Sequence, residues 1–331
     1  MQEMETKENQ IIHGVIWKQL LIFFFPILLG TFFQQIYNTA DTVVVGRFVG
    51  TEALAAVGGS TSQIINLIVG FFTGLASGAT VVISQHYGAK QEDGVQKALH
   101  TAYAFSVVGG IIISIMGILI TRPLLKLMNT PDNIIDLSAT YLCIYFAGLV
   151  FVFIYNVGAG ILRAVGDSRR PLYFLILCCF INIVLDIILI VFFKMGVAGA
   201  AIATTFSQGI SAVMVTVTLC RTTDIFRLRV KKIRFHAQPM GMIVKIGLPA
   251  GLQSVMYSLS NVIIQSSLNT FGTETVAAWT AFSKIDAIYW MISGAFGIAI
   301  TTFVGQNYGA GKFGRMKKSV RVCLAMDIGA S

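Results

Sequence analysis

The sequence predicts an all-α membrane protein: a polytopic helical bundle of two parallel-repeat six-helix lobes, the second incomplete, with about eight spans and the start of a ninth. Three observations predict it. Hydrophobic residues make up 55% of the 331-residue chain and charged residues only 12%, about half of what a soluble domain carries. Apolar runs such as 102–120, 171–193 and 288–304 recur at the length of about 18 residues that a bilayer core demands of a helix. The chain also repeats itself at an offset of 221–223 residues. The first seventeen residues are polar and acidic and the first apolar run is long, so no cleavable leader is expected.

Spans are expected at about 18–44, 53–83, 95–120, 134–158, 170–193, 197–220, 240–270 and 275–304, after an N-terminal tail of residues 1–17. The first carries Thr31, Gln34, Asn38 and Asp41 on one helical face, with Pro26 placed before them to kink the helix. The second spaces Gly70, Gly74 and Gly78 four apart, which lets helices approach closely. The third and fourth rest on apolar length. The fifth sets Asn182 and Asp186 on one face, and the sixth follows a run of small residues from Gly196 with Thr204, Thr205, Ser207, Gln208 and Ser211. These six spans, 18–220, form the N-lobe. The basic segment 221–238 is the cytoplasmic inter-lobe linker, and its second reading is a patch on anionic lipid headgroups. Residues 239–331 form a partial C-lobe. Its first span aligns Ser254, Tyr257, Ser258, Asn261 and Gln265, with Ile264 where the repeat would place an equivalent of Asp41. Its second span takes in Lys284 and Asp286.

The repeat rests on several identities in fixed order. Pro26 pairs with Pro249, Asn38 with Asn261, Gly50-Thr51-Glu52 with Gly272-Thr273-Glu274, and Gln85-His-Tyr-Gly-Ala89 with Gln306-Asn-Tyr-Gly-Ala310. Six spans separate the copies, so both enter the membrane from the same face, as in a parallel repeat. Two full lobes would need roughly twice 223 residues by the repeat arithmetic, so the chain is expected to stop inside its second copy, with twelve spans in the whole. Nineteen of the 24 lysines and arginines lie on the N-terminal side and in every second loop. Four occupy the opposite loops, and Lys284 alone falls inside a span away from its cytoplasmic end. This bias predicts a cytoplasmic N-terminus, and it accounts for the net charge of +9 without nucleic acid.

Acids inside spans are costly and face a cavity or a partner. Asp41 and Asp186 are the carboxylates singled out within the N-lobe spans, both expected in the half remote from the N-terminal face. Sharing one poorly solvated pocket, they could hold a proton or, with Asn and Thr oxygens, a bare sodium ion. Their structural alternative is a helix cap or a pair with Arg47. Gln34, Asn38, Tyr257, Asn261, Gln265, Lys284 and Asp286 are the candidates to face a central cavity. No P-loop or catalytic constellation is present, so no enzyme activity and no cofactor are expected, and no metal beyond sodium at Asp41 and Asp186. The five cysteines read as packing residues, and the four histidines as solvated groups in tails and loops.

At these residues the sequence resembles the multidrug and toxic compound extrusion (MATE) family. The matching stretches are Asp41-Thr-Val-Val-Val-Gly46 running into Ala53-Leu-Ala-Ala56, residues 162–171, residues 196–204, and both Gln-x-Tyr-Gly-Ala loops. The likeness extends from about residue 15 onward. It implies twelve spans around a central cavity and export of amphiphilic, often cationic compounds against inward flow of protons or sodium. It also implies an N-lobe cation site, which carries onto Asp41, Asn182, Asp186 and Thr204. A subset of the family has a carboxylate on span seven; here Tyr257 stands near that place. The resemblance further implies a multi-pass monomer in the bacterial inner (plasma) membrane, its partners a small amphiphile and the lipid bilayer. The alternatives are a lipid-linked oligosaccharide flippase of the related superfamily, which would need basic residues along its cavity, and a non-transporting membrane fragment, scaffold or receptor.

Overall fold

The computed structural model describes residues 9–268 and 273–330, which form twelve α-helices and no strand. In order these are α1 (Gln10–His13), α2 (Ile16–Phe48), α3 (Thr51–Gly58), α4 (Ser60–Gly88), α5 (Glu92–Leu127), α6 (Asp132–Ala147), α7 (Leu149–Ala164), α8 (Arg169–Asp186), α9 (Gly196–Arg221), α10 (Ala237–Leu268), α11 (Thr273–Gly309) and α12 (Phe313–Ala330). Among the described residues seven spans are long and apolar enough to cross a membrane, or eight if the bent pair α6–α7 counts as one.

Three irregularities break the uniform spans the apolar pattern predicts, two of them at glycines. The second span divides into α3 and α4 at Gly59, whose backbone leaves the helical region at ψ −124°. The fourth bends by 47° at Gly148, which packs so closely on Thr205 of α9 that an added Cβ would lie 2.9 Å from the Thr205 Cβ. The fifth ends in a π-helical turn, Ile187–Phe192, directly after Asp186. Such widened turns occur frequently at functional sites.

The helices α10 and α11 meet the first six spans along a seam that begins at the N-terminal face. Phe24 stacks on Phe296 at 4.0 Å and Phe23 meets Phe303 edge-on at 6.3 Å, inside a cluster with Leu20, Ile27 and Ala299. A Cβ on Gly74 of α4 would fall 2.5 Å from the Gly251 nitrogen of α10, so only bare backbone permits this crossing. The repeated Gln-x-Tyr-Gly motifs face one another here: Gly88 abuts the Gln306 carbonyl, and Gly309 the Gln85 carbonyl. The short helix α1 seals the same end, with Asn9 donating to Gln306 (2.9 Å) and Arg315 donating to the Ile11 carbonyl (3.0 Å). Gln306 donates in turn to the Ala164 carbonyl at 2.7 Å, tying α11 to α7.

The 221–238 segment is fixed in place. Phe226 and Leu228 are buried in the core beside Val95 and Leu99 of α5. His100 accepts the Arg229 backbone N–H at 3.1 Å, and Thr101 accepts that of His236 at 3.1 Å. This corrects the expectation that the histidines are solvated: His100 is buried because it holds the linker backbone.

Candidate ion site and the open cleft

Asp41, Asn182, Asp186 and Thr204 converge in the half of the bundle remote from the N-terminal face. Helix α2 continues seven residues past Asp41, so the acid points from a helix interior and not from a cap. Asn182 and Asp186, one turn apart, come from the last turns of α8, and Thr204 from the third turn of α9. All four are buried, Asn182 and Asp186 at 0% exposure. The Thr204 hydroxyl donates to Asp41 Oδ2 at 3.1 Å and accepts from Asn182 Nδ2 at 3.4 Å. Asp186 lies within interaction range of Asp41. Arg47 forms no ion pair with Asp41 among the described residues.

The donor inventory is short of the acceptors. Asp41 Oδ1, both carboxyl oxygens of Asp186 and Asn182 Oδ1 are buried without a hydrogen-bond donor among the described residues. Buried acceptors in that state are costly. A small hard cation, or a proton held between the two acids, would satisfy them, and an all-oxygen set suits sodium. The residues present therefore fit either ion.

Two further side chains complete the pocket. Tyr37, one turn before Asp41, and Tyr141 of α6 are both buried, and Tyr141 lies within range of Asp41, Asp186 and Thr204. Its neighbour Tyr145 stacks on it at 6.4 Å. The i, i+4 relation to Asp41 could have revealed Tyr37. Nothing local to α6 marks Tyr141.

The cavity candidates divide. Gln34 and Asn38 on α2, and Tyr257 and Asn261 on α10, are exposed. Tyr257 packs edge-on against Trp290 of α11 at 5.6 Å, and Trp290 meets Tyr289 at 5.6 Å, an aromatic group that the sequence reading did not assemble. Asp286 is half-buried. The side chains of Gln265 and Lys284 lie outside the described residues.

Against known proteins, the MatE family model matches residues 26–188 and 249–331. The chain is 31% identical to the probable multidrug resistance protein YoeA of Bacillus subtilis (strain 168), over 96% of this chain and 71% of that protein. It is 24% identical to the multidrug export protein MepA of Staphylococcus aureus (strain MSSA476), over 98% and 72% respectively. The solved structure of a MOP superfamily transporter from Pyrococcus furiosus, described as having a binding pocket of reverse polarity, superposes with a TM-score of 0.90 at 26% identity. It covers 98% of this chain and 72% of that one.

Proposed function

The chain belongs to the MatE family of multidrug efflux transporters, and on that premise we propose that it is a proton- or sodium-driven antiporter exporting amphiphilic cations by alternating access. The observation that carries the reading is the pair of buried acids with three carboxyl oxygens, Asp41 Oδ1 and both of Asp186, that have no donor among the described residues. A soluble-protein core would fill such a position with apolar side chains, and a membrane core tolerates it only where charge is bound or moved.

Coupling requires that each ligand bind the two packings with different affinity. Asp41 rides on α2, while Asp186 and Thr204 ride on α8 and α9. An ion shared among them draws α2 onto α8 and α9; its release leaves like charges facing each other and loosens that packing. The other end of α2 carries Phe23 and Phe24 of the seam, with Pro26 between the two ends. Proline removes a backbone donor and provides a natural bending point. Helix α2 thus connects ion binding to the seam.

With the N-terminus cytoplasmic, as the distribution of basic residues indicates, the seam closes the cytoplasmic half and the cleft opens outward. Exposed Tyr257, Tyr289 and Trp290 beyond the seam supply aromatic faces suited to an amphiphilic cation. The residues 18–220 and 239–331 act as the two lobes that rock against each other in the bacterial plasma membrane, the chain working as a monomer.

The test is counterflow in proteoliposomes containing the purified protein and a fluorescent lipophilic cation. Imposed proton and sodium gradients are applied separately, and the gradient that drives uptake identifies the ion. Asp41→Asn abolishes gradient-driven transport if the site is the coupling site. Undiminished transport by that variant refutes the assignment.

A further inference from the structure

The 221–238 linker forms one wall of a cavity of about 700 Å³ whose other wall is the first two turns of α5. Six cations line it: Lys97, Arg227, Arg229, Lys231, Lys232 and Arg234. Three carboxylates share the rim, Glu92, Asp93 and Asp224. Asp93 is already paired with Lys97 at 2.6 Å, and Asp224 accepts from Thr222 at 3.3 Å. None of the five linker cations has a carboxylate within 4.0 Å among the described residues. The side chains of Arg229, Lys231 and Lys232 have no hydrogen-bond partner among those residues either, and all three are exposed.

This excess of positive charge sits on a rigid wall. Gln96 donates to the Ile225 carbonyl and, at 3.2 Å, to the Arg227 carbonyl. The Leu228 N–H reaches the Leu219 carbonyl at 2.8 Å, and His100 holds the Arg229 N–H. A tether serving only to join two lobes needs no such anchoring. A binding surface does, because preorganised cations lose less freedom on capturing an anion.

We propose that this cleft binds the phosphate headgroup of an anionic membrane phospholipid at the N-terminal face. Two features favour a lipid over a soluble phosphate. The segment leaves one membrane span at Arg221 and enters the next at Ala237, so it cannot stand far from the bilayer surface. Val230 and Phe235, interleaved with the cations, are 64% and 49% exposed. Apolar side chains among lysines and arginines suit a layer where headgroups meet acyl chains, and a soluble polyphosphate would gain nothing from them. The proposal does not depend on which ion drives transport.

The experiment uses the full chain, purified, in micelles containing equal amounts of phosphatidylglycerol and phosphatidylcholine with identical acyl chains, and counts retained lipids by native mass spectrometry. The wild-type protein should retain phosphatidylglycerol preferentially. The triple variant Arg229→Gln, Lys231→Gln, Lys232→Gln should lose that preference by about tenfold or more, given the attraction of each cation to an anionic surface. A charge-matched control, Lys317→Gln, Lys318→Gln, Arg321→Gln, should keep it. A second arm needs no variant: amide exchange across 229–236 should slow in phosphatidylglycerol nanodiscs relative to phosphatidylcholine ones. Equal retention of the two lipids, an unchanged triple variant, or protection of the linker by millimolar ATP but not by phosphatidylglycerol would each overturn the proposal.

Discussion

Of the two carboxyl oxygens of Asp41, Oδ2 accepts from Thr204 and Oδ1 has no donor among the described residues. Thr204→Val keeps the shape of the side chain and deletes that hydrogen bond together with the longer one from Asn182 Nδ2 at 3.4 Å. Bonds to charged groups contribute about 1.5–3 kcal/mol, so the ion concentration for half-maximal transport should shift roughly tenfold or more with little change in maximal rate, upward for sodium, which loses an oxygen ligand, and downward for a proton, because the lost donor favoured the charged carboxylate. Thr204→Ser should retain wild-type affinity, and initial rates measured across an ion titration separate the two outcomes. The acids of this site were legible because a carboxylate in an apolar run is rare and because Asn182 and Asp186 share a helical face. Thr204 came only through the family resemblance, being one of several hydroxyls on α9. Tyr141 was invisible in the sequence, since its place beside Asp41 depends on how α6 packs and not on any spacing along the chain.

The glycine stripe of α4 was legible as a close-packing face, but its partner was not, because spacing says nothing about which helix crosses it. The structure supplies α10, and the contact predicts a contrast. Gly74→Val must push two backbones apart, costing about 1–3 kcal/mol by overpacking. It should lower the thermal midpoint of the purified protein, whereas Gly241→Ala on α10, with nothing within 4 Å of the added Cβ, should leave it unchanged or slightly raised. The break at Gly59, the bend at Gly148 and the π turn after Asp186 escaped the sequence reading, since hydropathy reports the length of a span and not its regularity. The linker offers a pH prediction of its own. Desolvation, reinforced by Arg234, Lys97 and His100 and opposed by Asp93, holds the His236 ring below its usual pKa of 6.5. The docked linker therefore favours the neutral ring, and its docking is at full strength above about pH 6.5 and erodes as pH falls below that value. Amide exchange at His236, corrected for intrinsic rates, should quicken between pH 7.5 and 5.5 relative to a buried amide of α5.

At the scale of the whole molecule, the repeat was readable because the two copies meet at their shared motif. Each Gln-x-Tyr-Gly glycine lies where a side chain would strike the glutamine carbonyl of the other copy, so close approach demands the same residues twice. How far the seam extends was not readable, because it depends on tertiary packing and not on spacing along the chain. The seam reaches from Gly88 and Gly309 at the N-terminal face to Gly70 and Ser254 deeper in the membrane, where a Cβ on Gly70 would sit 3.5 Å from the Ser254 Cβ. That separation suits a disulfide, for which Cβ atoms stand about 3.5–4.5 Å apart. In a background with the five native cysteines replaced by serine or alanine, Gly70→Cys with Ser254→Cys should therefore cross-link on mild oxidation. If transport proceeds by opening this seam and closing the cleft beyond it, the oxidised protein should bind the lipophilic cation yet move none across the bilayer, and reductant should restore transport. Each single variant should transport regardless of oxidant, which separates the cross-link from the cost of a larger side chain at either position. Transport by the oxidised double variant at the reduced rate would mean that α4 and α10 stay together throughout the cycle, and that the moving boundary lies elsewhere in the bundle.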